Sequence, residues 1–303
     1  MKDLLISHIS DIDGISPVIL LKLSNIKFDY ELKEIYELDD YFNILLDSDL
    51  SIYNNIYVTD LTLNKEIYEK INNSSYKNKF KVFDHHMSHL FANEYDYVNI
   101  NIEESGTSLF YIYLCQNKKL NKRIIKDYVE HVKNLDLWLF EKKSDFIAKQ
   151  LGDLLGIYGR ERYIEEIYTK LKKNKKFRLN EFELKILQLE QDKITRYIEK
   201  KEKDMYKIKI DNYYAGLIIS EKYNSEMGNT IAKKYPDLDF IIMINLSGGI
   251  SFRTIKDVDL SVIAKKYNGG GHKAASGAPI PIDLKLNFIK QVFKGCEIID
   301  EDK

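Results

Sequence analysis

Short apolar runs alternate with stretches of helical periodicity along the first hundred residues. Leu4 to Ser7, Phe28 to Ile35, Ile56 to Thr59 and Phe80 to Phe83 read as strands. Between them the spacing predicts helices from about Ile15, near Asp39 to Leu46 and near Lys65 to Ile71, with Pro17 in the first turn of the earliest, where a missing N–H costs nothing. The rhythm predicts an α/β fold with a mostly parallel sheet and helices on both faces.

Beyond residue 100 the pattern turns helical. Ser105-Gly106-Thr107-Ser108 is placed to cap a helix carrying Leu109, Phe110, Ile112, Tyr113 and Leu114. Lys122 to Val132 continues with helical periodicity into Asn134-Leu135-Asp136-Leu137-Trp138. From Arg160 to about Asp204 the chain is charged and nearly free of Gly and Pro. Ile186, Leu187, Leu189, Ile194 and Ile198 form an apolar stripe that suits a helical connector between domains. The basic run Lys170 to Lys176 reads as a solvated turn between helices rather than a nucleic-acid contact. Strand character returns at Tyr206 to Ile210, Tyr214 to Ile219, Phe240 to Asn245 and Ile250 to Arg253, with helices near Glu226 to Lys234 and Leu260 to Tyr267. The expected organisation is a first domain over 1–180, a helical connector over 181–205 and a smaller α/β domain over 206–303.

The candidate chemistry lies where strands end. Phe80 to Phe83 runs into Asp84-His85-His86, Leu4 to Ser7 into His8-Ile9-Ser10-Asp11-Ile12-Asp13-Gly14, and Ile56 to Thr59 into Asp60. Ligands in open parallel sheets bind at the carboxyl edge, so these side chains are placed to converge there. Asp136 sits between apolar neighbours beside the only tryptophan, and a helix cap or loop residue is an equal reading of it. Farther on, Gly269-Gly270-Gly271-His272 precedes Lys273-Ala274-Ala275-Ser276-Gly277. Glycines ahead of a small-residue helix start would let the backbone approach an anion, which makes this stretch a candidate phosphate cradle.

Composition narrows the partners. The 303 residues suffice for two domains, and 46 basic against 47 acidic residues leave a net charge of −1. Long polyanions need many cationic contacts, so the expected anionic partner is small or locally held. Cys115 and Cys296 lie far apart without metal-type spacing, which suits packing roles in a reducing cytoplasm. The start runs directly into a strand, with no charged leader or cleavage pattern, and no segment approaches ~18 apolar residues, so neither export nor a membrane span is expected.

His8-x-x-Asp11-x-Asp13-Gly14, Asp60, Asp84-His85-His86, Asp136 and Gly269-Gly270-Gly271-His272 occur in the order seen in DHH-family phosphoesterases. The chain resembles the two-domain branch, in which a catalytic DHH domain precedes a DHH-associated substrate-binding domain. That branch includes RecJ-like nucleases, nanoRNases and cyclic-dinucleotide phosphodiesterases. Ser251-Phe252-Arg253 and His272 to Gly277 resemble most closely the members that cleave short oligoribonucleotides and dinucleotides.

The resemblance implies a cytoplasmic phosphodiesterase that hydrolyses short RNA or linear dinucleotides to 5'-mononucleotides with two Mn(II) ions, other divalent metals remaining possible. Cyclic dinucleotides, 3',5'-bisphosphate nucleotides and single-strand DNA are alternative substrates, and a noncatalytic nucleotide sensor is the alternative class. Phosphodiester hydrolysis suits two cations about 4 Å apart, which activate water and stabilise both oxygens. By the family's pattern, His8 and Asp11 hold one ion, Asp13, His85 and Asp136 the other, and Asp60 bridges. Asp84 orients a histidine from behind, and His86 either contacts phosphate or leaving group or holds its loop. His89 and His131 match no motif. Arg253, Gly270, Gly271 and His272 would bind phosphate. Ser105 and Thr107 would contact substrate, cap a helix, or do both. The resemblance also leaves a homodimer open.

Overall fold

In a computed structural model, which describes residues 1–117, 120 and 122–294, the alternating runs of the first half form β1 (Lys2–His8), α1 (Ile12–Leu23), β2 (Phe28–Lys33), α2 (Leu38–Leu46), β3 (Tyr53–Thr59), α3 (Lys65–Asn73), β4 (Phe80–Asp84) and β5 (Val98–Ile100). The five strands make one parallel sheet in the order β2-β1-β3-β4-β5. Then come α4 (Gly106–Gln116), α5 (Arg123–Asp136), α6 (Phe140–Lys143), α7 (Phe146–Tyr158), α8 (Arg160–Lys173) and α9 (Glu181–Glu202). The chain divides into two units, Met1–Leu187 and Gln188–Lys303, so the division falls inside α9.

Side chains alternate across a strand, and this sheet uses both faces. Leu5, Tyr57 and Phe83 point into one core with the apolar sides of α1, α4, α5, α7 and α8. Leu4, Ile6, Ile56, Val58, Phe80 and Val82 point into the other with Phe42 of α2 and Ile67, Tyr68 and Ile71 of α3. Each fully buried Leu or Ile contributes roughly 1.5–3 kcal/mol of transfer free energy. Burial on both faces explains why the strands read as nearly continuous apolar runs.

The proline expectation needs correcting. Because α1 begins at Ile12, Pro17 lies in its second turn. There it removes a bond to the carbonyl four residues back, that of Asp13. The freed oxygen accepts instead from Thr107 Oγ1, at 2.5 Å.

The charged stretch also departs from expectation at one residue. Lys170 is buried at the end of α8, where its Nζ meets Glu183 Oε2 at 2.5 Å and donates to the Arg178 carbonyl at 2.8 Å. Along α9, Ile186 and Leu187 pack on the first core, Ile194 and Ile198 on a core of the second unit, and Leu189 is exposed.

The second unit adds β6 (Tyr206–Ile210), β7 (Tyr213–Ile219), α10 (Asn224–Lys234), β8 (Phe240–Asn245), β9 (Gly249–Arg253), α11 (Leu260–Lys265), β10 (Gly270–His272), β11 (Ala275–Ala278) and α12 (Ile282–Val292). Its sheet is mixed, in the order β10-β11-β9-β8-β7-β6, with only β7 and β8 parallel. The residues after the glycines do not start a helix. Lys273-Ala274 turns a hairpin in which Gly270 pairs with Gly277, Gly271 with Ser276 and His272 with Ala275. A Cβ on Gly269 would stand 2.0 Å from the Gly277 carbonyl oxygen, and Gly271 has φ +133, so tight strand pairing requires both glycines. No described helix is long and apolar enough to cross a membrane. Cys115 is a free thiol packed beside the first core, and Cys296 lies outside the described residues.

Candidate metal centre

The strand order reverses between β1 and β3, which opens a crevice at the carboxyl ends of the parallel sheet. His8 ends β1, Asp60 follows β3, Asp84 ends β4 with His85 and His86 after it, and Asp11 and Asp13 stand at the start of α1. Asp136 is the last residue of α5. Asp11 caps α1 by accepting from Gly14 N at 2.9 Å through Oδ1, which leaves Oδ2 3.2 Å from His8 Nδ1.

Asp13 is buried and held by the opening of α4. Its Oδ2 accepts from Gly106 N at 2.7 Å and its Oδ1 from Thr107 N at 3.0 Å. Free amides at a helix start favour an anion, so α4 supplies two donors to the buried carboxylate. Close approach dictates two glycines: a Cβ on Gly14 would lie 2.2 Å from the His8 carbonyl oxygen, and one on Gly106 2.7 Å from Asp60 Cβ. Asp60 itself has φ +54, a left-handed backbone that costs about 1 kcal/mol or more and here aims the carboxylate into the crevice.

Asp60 stands between two imidazoles. Its Oδ2 is 3.5 Å from His8 Nδ1 and its Oδ1 is 3.3 Å from His85 Nε2. The same His85 nitrogen is 3.3 Å from Asp136 Oδ2 and 4.0 Å from Asp13 Oδ2. Two sets of donors therefore meet, His8 with Asp11 and Asp60, and Asp13 with His85 and Asp136; within each set the atoms lie within 4.8 Å of one another. Asp60, Asp84, His85 and His86 form a third such group.

Asp60 Oδ2 and Asp136 Oδ2 are buried without a hydrogen-bond partner. An unsatisfied buried polar atom costs ~1–3 kcal/mol, more when charged, and a cation would relieve it. The oxygens and imidazoles, without thiolates, fit a hard-to-borderline divalent ion.

Protonation tells the same story. The carboxylates of Asp11 and then Asp60 beside it push His8 up to about 10 against the effect of burial. Burial would lower His85, but its bond to Asp60 and the Asp136 and Asp13 carboxylates carry it to about 9. Burial pushes Asp136 up to about 6, with His85 opposing and Asp60 adding to the rise. Asp13 is raised by burial and then by the Asp60 and Asp136 charges. Protons thus gather where negative charge is concentrated, the role a bound cation would take over.

His86 lies beside this cluster, half-buried, with Nδ1 donating to Asp84 Oδ1 at 2.7 Å. That oxygen also accepts from His85 N at 2.8 Å. The bond to Asp84 raises the His86 pKa; burial would raise Asp84, but His86 holds it below the ordinary carboxylate range. Ser105 and Thr107 are fully buried and use their hydroxyls internally: Ser105 Oγ caps α4 by accepting from Ser108 N, and Thr107 Oγ1 serves the Asp13 carbonyl. Neither side chain is exposed; the Ser105 hydroxyl caps the helix whose first amides hold Asp13, and the Thr107 hydroxyl holds the Asp13 carbonyl. His131 is satisfied by Asp145 at 2.7 Å, and His89 by Ser88 at 2.9 Å.

Sequence reasoning missed Glu34, whose Oε2 lies 3.7 Å from His8 Nε2. It follows β2, whose end neighbours that of β1, and only the pairing of His8 with Lys33 reveals the proximity.

In the second unit, Arg253 on β9 is half-buried, with Nη1 on the Phe252 carbonyl at 2.9 Å and Nη2 on Ser225 Oγ at 3.2 Å. Gly228 of α10 makes room for it, since a Cβ there would stand 2.5 Å from Arg253 Cγ. The hairpin residues Gly270, Gly271 and His272 are exposed, and nothing lies within 4 Å of a Cβ built on Gly270.

A parallel sheet with histidines and carboxylates at its carboxyl edge, followed by a unit with a mixed sheet, agrees with the two-domain organisation that the resemblance implies. Residues 214–296 match the family model described as the DHHA1 domain. The C-terminal unit thus carries a DHHA1 match, and the chain as a whole resembles DHH-family proteins.

Among curated proteins it is 32% identical over 249 residues to oligoribonuclease NrnB of Bacillus subtilis, covering 79% of this chain and 62% of that one. It is 26% identical over 234 residues to an uncharacterised protein of Acanthamoeba polyphaga mimivirus, covering 74% and 52%. The chain thus spans less than two thirds of the length of either relative. Solved structures share the fold. PggH, a pGpG-specific phosphodiesterase from Vibrio cholerae, aligns with TM-score 0.58 at 17% identity, covering 96% of this chain and 97% of its own. The DHH domain of a member of the S1p family of ribosomal proteins aligns with TM-score 0.52 at 15% identity, covering 97% and 87%.

Proposed function

We propose that the protein is a metal-dependent phosphodiesterase that hydrolyses short oligoribonucleotides or linear dinucleotides to 5'-mononucleotides. The observation that carries this reading is the convergence of two donor sets, joined where Asp60 of one meets His85 of the other, with buried oxygens of Asp60 and Asp136 that have no hydrogen-bond partner. The substrate class draws its support from the oligoribonuclease relative.

His8, Asp11 and Asp60 would hold one divalent cation, and Asp60, Asp13, His85 and Asp136 a second, with Mn(II) the favoured ion for such ligands. When bound, the cations supply a neutralised phosphate and an acidified water. The protein's own residues do the rest. The α4 amides hold the Asp13 carboxylate in place, and the Thr107 hydroxyl holds its backbone carbonyl. Asp84 holds His86 by Nδ1, so Nε2 is left to donate a proton to the departing ribose oxygen. The bond to Asp84 raises the His86 pKa, which favours the protonated form this role needs. In the DHHA1 domain, Arg253 would pair with phosphate oxygens through its remaining guanidinium donors, and His272 and the Gly270 and Gly271 backbone would add further donors.

The test is chromatography of products after incubation with Mn(II) and, separately, pApA, a five-nucleotide RNA, a cyclic dinucleotide and adenosine 3',5'-bisphosphate. Mononucleotide from pApA and the RNA, absent with Asp60→Ala, is the expected result. Binding without product from any of the four would overturn it in favour of a nucleotide sensor.

A further inference from the structure

Away from the metal centre, the end of α8, the loop 174–180 and the first turn of α9 surround a cavity of about 720 Å3. A buried network builds its wall. Glu183 is 1% exposed and Lys170 8%, and they pair at 2.5 Å. Glu183 Oε2 also accepts from Asn180 N at 2.6 Å, while Asn180 Oδ1 accepts from Glu183 N at 2.8 Å. With Lys170 Nζ on the Arg178 carbonyl, the loop backbone is tied at both ends.

This network decides the charge of the cavity. The Glu183 carboxylate is neutralised by Lys170, and the other carboxylate of the lining, Glu166, faces Arg162 at 3.7 Å. Lys173, Lys175, Lys176 and Arg178 remain, all exposed and all lining the cavity. Among the described residues none of the four makes an ion pair. Lys170 contributes as well, for an ammonium has three donors and only two are used. The helix dipole accounts for a lysine in the last turn of α8, but not for Lys175, Lys176 and Arg178, which lie beyond the helix. Cations around one concavity repel one another unless a counter-anion joins them, and the volume falls within the ordinary range of ligand sites.

We propose that this cavity binds a chain of phosphates, with Arg178 engaging oxygens in bidentate fashion and the lysines acting as point charges. The phosphates come either from a free polyphosphate group or from the backbone of an oligonucleotide. The site is independent of the metal centre and of the hydrolytic reading.

Two measurements on the full chain in divalent-free buffer with chelator test it: calorimetric titration with inorganic tripolyphosphate, and fluorescence anisotropy with a labelled 12-nucleotide RNA. Lys175→Gln/Lys176→Gln/Arg178→Gln should weaken tripolyphosphate binding about tenfold or more and flatten its dependence on salt. Lys175→Arg/Lys176→Arg should bind like the parent, and both variants should keep the parent's melting curve and its hydrolysis of pApA. Displacement of the RNA by tripolyphosphate would identify the nucleic-acid backbone as the occupant; RNA binding indifferent to tripolyphosphate would identify a free phosphate chain. No saturable tripolyphosphate binding by the parent, or equal binding by the charge-neutralised variant, would overturn the proposal whatever the hydrolysis assay returns.

Discussion

Gly106→Ala adds one methyl group to a residue that carries no side chain to the metal centre. The new Cβ would stand 2.7 Å from Asp60 Cβ, 2.9 Å from Asp60 N and 3.0 Å from Asp60 Cα. Carbon contacts relax to about 3.5–4.0 Å, so α4 and Asp60 must separate by about 1 Å. Neither side yields freely: Asp60 N donates to the Phe83 carbonyl at 2.9 Å, and Gly106 N sits on Asp13 Oδ2 at 2.7 Å. Overpacking of this kind costs ~1–3 kcal/mol. Displacing a ligand by about 1 Å lowers turnover on the order of 10²-fold. Urea unfolding, Mn(II) titration followed by the paramagnetic signal of the free ion, and pApA hydrolysis measure the three consequences. Gly156→Ala is the control, because nothing lies within 4 Å of its Cβ position inside α7, and it should gain ~0.4–1 kcal/mol at unchanged turnover. If Gly106→Ala retained parental Mn(II) affinity and turnover, the close approach of α4 to Asp60 would not be what shapes the centre.

Asp60→Asn keeps a side chain that tolerates φ +54 while removing one buried charge, so the metal-free protein should unfold at an equal or higher temperature as turnover falls on the order of 10³-fold; a large loss of stability would contradict it. In chelator, His8 and His85 titrate higher when folded, near 10 and 9, than their ordinary 6.5. Their stabilising effect is therefore complete below about pH 6.5 and lost as pH rises through 9 to 10. Asp136, raised to about 6, acts in the same direction between about pH 4 and 6. The melting temperature without metal should fall from pH 6 to 10, and saturating Mn(II) should remove most of the slope; a rise between pH 7 and 9.5 in chelator would refute the charge balance. Glu183→Ala leaves Lys170 buried and unpaired, which should cost ~3–5 kcal/mol in urea unfolding, much of it recovered in Lys170→Met/Glu183→Leu. Gly228→Ala should crowd Arg253 and raise KM for pApA several-fold with little change in kcat, whereas an unchanged KM would separate Arg253 from substrate binding.

Much of the fold is legible along the chain. Period-two and continuous apolar runs mark β1, β3, β4 and most strands of the second unit, because strands buried on both faces must be apolar throughout. The three-residue β5 carries too few positions to register a period. The hairpin of β10 and β11 escapes because glycine and alanine, which pair closely there, carry no strand signal of their own. Pro17 shows the limit of local rules: its place in the second turn is tolerable only because Thr107, distant in sequence, supplies a donor to the carbonyl it frees.

The sequence by itself determined which residue types stand at strand ends, and so that His8, Asp11, Asp13, Asp60, Asp84, His85 and His86 gather at one edge of one sheet. Which of them share a cation's reach was decided only by tertiary structure. The reversal of strand order sets His8 beside Asp60, the end of α5 brings Asp136 to His85, and the opening of α4 turns Ser105 and Thr107 inward to hold Asp13. Glu34 beside His8, and the buried Lys170 within a run of surface lysines, were decided there too. Local periodicity records only whether a residue is buried and on which face. The partner it meets depends on crossovers and helix packing that join residues far apart in the chain.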